Sequence, residues 1–120
     1  MPAPIIVVHQ QTKVLDMILS ALRSAGYEAA GFNDPVTALD AIETDSRVKV
    51  LVTRIDLGTG KLNGIALARM LHHNARRDIK VIFVGRDANR QFVDSDAGEF
   101  LPHPIDPSVL LDAVRRKLAE

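Results

Sequence analysis

The stretch IIVVHQQTKVLDMILSALRSAGY, residues Ile5 to Tyr27, decides how the chain is to be read. Four apolar residues give way to a polar turn, His9-Gln10-Gln11. Apolar residues then return at helical spacing, at Val14, Leu15, Ile18, Leu19 and Leu22, with Gly26 as the stop. A strand that passes through a polar turn into a helix is where many α/β proteins keep their chemistry, because ligands collect at the carboxyl ends of the strands. This turn offers a histidine and two amides, with no acid and no glycine.

The same alternation continues outward. Tyr27 to Phe32 reads as a weaker second strand, and Asp34-Pro35 as a capping carboxylate before a proline that opens a helix with Ala38, Leu39 and Ile42 inward. Val48 to Thr53 is a third strand whose unbroken apolar run predicts burial on both faces. A glycine-bearing loop, Gly58 to Asn63, leads to a helix carrying Ile65, Leu67, Ala68 and Leu71. Lys80 to Val84 and Glu99 to Leu101 follow as strands, and Asp106-Pro107 repeats the cap before a last helix with Val109, Leu110, Val114 and Leu118. Between Arg86 and Gly98 any helix is limited to one or two turns. The pattern predicts one α/β domain over residues 1–120: a doubly wound, five-stranded parallel sheet with right-handed crossovers and a shortened fourth helix.

Composition narrows the function. At 120 residues the chain suits one ordinary domain, with 47% hydrophobic and 25% charged residues. Fifteen basic and fifteen acidic side chains leave no net field to favour nucleic acid or an anionic membrane. The absence of cysteine excludes disulfides, thiolate catalysis and cysteine-bound metal. No apolar run approaches the ~20 residues of a membrane span, and the start has no signal-peptide pattern, so a cytoplasmic location is expected.

Several local motifs come to nothing. GTGKL at Gly58 to Leu62 has Ile55 where a phosphate loop needs glycine and Leu62 where it needs Ser or Thr, and Gly58, Gly60 and Gly64 miss dinucleotide-binding spacing by one residue. His72 and His73 diverge by about 100° on a helix and cannot chelate one metal as an i, i+4 pair could.

NDPVTALDAI after the second strand, LNGIALARML after the third and FLPHPIDPSVLLDAV at the end together resemble the receiver domain of two-component response regulators, with its flavodoxin-like (βα)5 fold. The resemblance covers almost the whole chain. It implies two Mg²⁺-binding acids at the end of the first strand, where this chain has His9 and Gln10. It implies a phosphoacceptor aspartate where Arg54 stands, a threonine or serine where Gly85 stands, and a small residue where Arg86 stands. The lysine before the fifth-strand loop proline is replaced by His103, while the aromatic three residues earlier is kept as Phe100. Asp56, two residues past Arg54, is the alternative acceptor; its plainer role is a loop carboxylate or a partner for Arg54 or Lys61.

The substitutions reverse the sign of the pocket, from a formal charge of about −2 in the family to about +1 here with both histidines neutral. Mg²⁺ at about 5 Å from Arg54 would be repelled by roughly 6–7 kcal/mol at an effective dielectric of ~20. The expectation is therefore a receiver-like protein that binds no metal or cofactor, has no catalytic residue, and works by binding a signalling protein, such as a histidine kinase or another pathway component. A homodimer is a further mode to test. Two other readings stay open: an anion or small-ligand sensor using Arg54, His103 and Arg86, and an unconventional phosphoacceptor at Asp56. His9 and His103 would both charge under mild acid if unperturbed, which makes a pH switch a further option. Only 18 positions separate Gly85 from His103, about one helical turn fewer than the family uses, so the fourth helix, the dimer mode and switching through Phe100 are all expected to be altered.

Overall fold

Strand β1, Ile5–Val8, is buried along its whole length, and its side chains divide alternately between two apolar layers. Ile5 and Val7 face one layer, Ile6 and Val8 the other. The computed structural model describes residues 4–58, 60, 62–74 and 76–120. Thr59 and Lys61 of the glycine loop, including Lys61 as a partner for Asp56, lie outside the described residues.

Four more strands, β2 (Ala29–Phe32), β3 (Val50–Arg54), β4 (Lys80–Gly85) and β5 (Glu99–Pro102), complete a parallel sheet in the order β2-β1-β3-β4-β5. Helices α1 (Thr12–Ser24) and α4 (Pro107–Ala119) supply Leu15, Ile18, Leu22, Leu110 and Val114 to one layer. Helices α2 (Pro35–Thr44) and α3 (Gly64–His73) supply Ala38, Ile42, Leu67 and Leu71 to the other. This is the doubly wound architecture expected from the alternation.

Local chemistry explains the helix ends. Gly26, at φ 93°, closes α1: its N–H reaches the Arg23 carbonyl and that of Tyr27 reaches Leu22, a pairing that needs a left-handed residue. Asp34, Asn63 and Asp106 each accept a backbone N–H in the first turn of the helix they precede. Gly64 has a different reason. A Cβ there would lie 2.3 Å from the Arg54 carbonyl oxygen, so only glycine lets α3 start against the end of β3.

Two details depart from the sequence reading. The segment expected as a shortened fourth helix is a 3₁₀ helix, Asp87–Phe92, with no buried residue. Val109 is not a core residue of α4; it is 45% exposed, and Ala113 takes the buried place.

Candidate functional site at the carboxyl edge of the sheet

His9 directly follows β1, Arg54 ends β3, Gly85 ends β4 and His103 follows β5, so the parallel register carries all four to one edge. His9 extends the β1–β2 ladder by donating its N–H to the Phe32 carbonyl, and His103 does the same toward Gly85. The His103–Pro104 peptide is cis.

Three of these side chains meet. Arg54 Nη1 donates to His103 Nε2 at 2.8 Å, and the His9 and His103 rings pack edge to face with centroids 5.6 Å apart. His9 is 1% exposed, and its Nδ1 accepts the Gln11 N–H at 3.1 Å. That bond leaves the ring proton on Nε2, which is buried and has no acceptor among the described residues. Arg54 Nε is a second buried donor in the same condition. Burial first, then the charge of Arg54, then His103, lowers the His9 pKa from 6.5 to about 4. Burial and Arg54, in that order, also hold His103 below its ordinary value.

Gln10 is exposed. Asp56 is exposed beyond the end of β3, where its Oδ1 accepts the Gly58 N–H at 3.1 Å. With Arg86 it lines a groove of about 500 Å³ between α3 and the 3₁₀ helix, along with Ile55, Ile65, Arg69 and Phe92. Arg86 thus lines this groove, whereas Arg54 bonds to His103. Gly85 is buried, and a Cβ there would meet Ile55 and Asn89 at 3.4 and 3.5 Å, ordinary contact distances. Phe100 is half-buried on β5, with the Arg90 guanidinium 4.6 Å from its ring centroid.

The Mg²⁺ implied by the resemblance does not fit this donor set. His9 turns an N–H, not a lone pair, toward the interior, Arg54 brings a cation, and among the described residues no carboxylate is hydrogen-bonded to either. A hard cation needs several oxygen ligands. Among the described residues, no three His, Asp or Glu side chains are grouped so as to hold a metal.

Two structural residues escaped the sequence reading. Arg76 is 5% exposed, and its guanidinium donates to the carbonyls of Ile42 (2.7 Å), Asp45 (2.9 Å) and Val48 and to the Asp78 carboxylate (3.2 Å). It ties the end of α2 to the approach to β3. His72 bonds through Nε2 to the Ile79 carbonyl at 3.0 Å, whereas His73 is exposed. In sequence, Arg76 looks like one of a pair of loop cations.

Among curated proteins none matches the chain. In solved structures the fold is similar to the receiver domain of NtrX from Brucella abortus, with TM-score 0.84 and 23% identity over 96% of this chain and 98% of that one. It is similar to a response regulator receiver domain protein from Clostridium thermocellum, at 0.84 and 19%, covering 96% and 93%. The chemotaxis response regulator CheY4 of Vibrio cholerae gives 0.84 and 17%, covering 98% and 99%. At these identities the likeness speaks for the fold. The response regulator receiver domain family itself matches residues 5–115, nearly the whole chain, which therefore belongs to that family.

Proposed function

We propose that this receiver does not accept a phosphoryl group and serves as a protein-interaction module in a two-component-type pathway, in the cytoplasm and without enzymatic activity. The observation that carries the reading is the hydrogen bond from Arg54, at the end of β3, to His103 after β5, two residues that the family resemblance sets in the places of the phosphoacceptor and the phosphate-binding lysine. A guanidinium is no nucleophile, and its charge opposes the metal that phosphoryl transfer requires. Asp56 does not replace the lost acid, because its carboxylate is turned to the Gly58 amide in an exposed loop. No helix among the described residues is long and apolar enough to cross a membrane. Incubation with acetyl phosphate and Mg²⁺, followed by intact-protein mass spectrometry, tests the reading. No added phosphoryl group is expected, and a stoichiometric adduct on Asp56 would replace it with the unconventional-acceptor reading.

One observation favours a second reading, an anion sensor. Among the described residues the buried donors His9 Nε2 and Arg54 Nε lack acceptors, and a small anion beside Arg54 would supply them. If so, sulfate or phosphate will raise the melting temperature of wild type more than that of Arg54→Ala, beyond the general salt effect. Equal shifts remove this reading.

A further inference from the structure

The groove between α3 and the 3₁₀ helix owes its existence to the short connection from β4 to β5. Six residues of 3₁₀ helix span only about 12 Å, and they leave Phe92 61% exposed at the groove wall. One exposed aromatic is ordinary on a protein surface, so its surroundings decide what it means. The groove, about 500 Å³, has an apolar floor and wall in Ile55 and Ile65. Arg69 and Arg86 line it as well, and among the described residues neither is in an ion pair. Asp56, the one carboxylate lining this part, already accepts from the Gly58 amide. Beyond Phe92 a second hollow continues past Val93, sharing Ile65 and Arg69, and is edged by Asp94 and Asp96. The surface is therefore elongated and apolar along its length, with Arg86 at one end, Asp94 and Asp96 at the other, and Arg69 shared between the two hollows.

We propose that this groove is the docking surface for a partner's peptide segment that places an aromatic or aliphatic anchor beside acidic side chains. The anchor packs on Ile65 and Phe92, and the acids meet the guanidinium forks of Arg69 and Arg86, which pair with carboxylates in a fixed geometry. Asp94 and Asp96 repel acidic groups at the far end and so set the direction in which the segment lies. The length of the surface suits a peptide better than a compact small molecule. The inference rests on the interaction-module reading and names its surface.

Short synthetic peptides with a Phe or Leu anchor and flanking Glu residues, titrated into isotopically labelled full chain, test this by NMR, with the same peptides carrying Lys for Glu as controls. The acidic peptides are expected to shift the amides of Ile65, Arg69, Arg86 and Phe92 saturably, and the lysine peptides are not. Arg69→Glu with Arg86→Glu should weaken the acidic peptides by about tenfold or more and admit the lysine ones, and Phe92→Ala should weaken both. All three residues are exposed, and unchanged melting curves will show that the variants fold. No saturable shift, equal binding of both peptide classes, shifts on another face, or groove shifts that depend only on protein concentration would each overturn the proposal. A phosphoryl adduct in the acetyl phosphate experiment would strike the interaction-module reading, whereas failure of the peptides with no adduct would strike the groove alone.

Discussion

Arg54 and His103, 49 positions apart, share a 2.8 Å hydrogen bond in which the guanidinium donates and the imidazole accepts. The bond requires a neutral His103, since a protonated ring has no lone pair to offer. Arg54 therefore does two things at once. It places a cation at the end of β3, where the family resemblance implies the phosphoacceptor, and it favours the uncharged form of His103.

The first prediction concerns magnesium. A ligand raises the melting temperature only if it binds the folded state better than the unfolded one. With Arg54 paired to no carboxylate among the described residues and Gln10 offering at most an amide oxygen, Mg²⁺ at about millimolar concentration should leave the melting temperature unchanged. Differential scanning fluorimetry decides the point, and a clear magnesium-dependent rise would mean that the metal has a site this reading misses.

Acid should weaken the fold through His9. The unfolded chain binds a proton on this ring near pH 6.5, the folded one only near 4, because burial, Arg54 and His103 all oppose the charge. Between those values each step down in pH favours the unfolded state, and the loss levels off below 4 at roughly 3 kcal/mol from this group. His103, also lowered, adds to the slope in the same direction. His9→Asn keeps an acceptor for the Gln11 amide but does not titrate, so urea unfolding of this variant should show a flatter pH dependence from 6.5 to 4. An unchanged slope would place the titration elsewhere.

Arg76 is the residue whose loss should cost most for its apparent modesty. Truncation to alanine strands the carbonyls of Ile42, Asp45 and Val48 and leaves a cavity where α2 meets the approach to β3. A destabilisation on the order of 3 kcal/mol is expected in urea unfolding. Arg77→Ala, at the exposed neighbour, should change stability by less than about 0.5 kcal/mol.

That contrast shows what the sequence makes legible. The sheet and its four α-helices follow from short-range patterns: Val50 and Val52 against Leu51 reveal a strand buried on both faces, and Asp106-Pro107 reveals a helix start. The edge residues His9, Arg54, Gly85 and His103 follow from the strand ends taken together with the family resemblance. Side-chain direction does not. Nothing local separates Arg76 from Arg77, or tells that Arg86 turns to the α3 groove while Arg54 turns to His103. Val109 misleads for a related reason, since an apolar residue in a first helical turn satisfies the spacing before the helix has settled onto the sheet.

The last prediction asks whether the proposed loss of phosphotransfer rests on Arg54 alone or is spread across the pocket. Arg54→Asp supplies a carboxylate and removes the cation. Yet Gln10 still brings no acid, His9 still presents its N–H, Gly85 brings no hydroxyl and His103 no fixed charge. Groups that act as a unit in catalysis are strongly non-additive, so one repair should recover little. Acetyl phosphate with Mg²⁺ is expected to leave Arg54→Asp unmodified by mass spectrometry. A variant combining His9→Asp, Gln10→Asp, Arg54→Asp, Gly85→Thr, Arg86→Ala and His103→Lys should accept some phosphoryl group. The strand register carries His9, Arg54, Gly85 and His103 to one edge, and Gly85 has room for a Cβ at 3.4 Å from Ile55. If the single change sufficed, the loss would reduce to one residue. If the six-fold variant folded and stayed inert, the correspondence between these positions and the family's phosphotransfer pocket would be wrong.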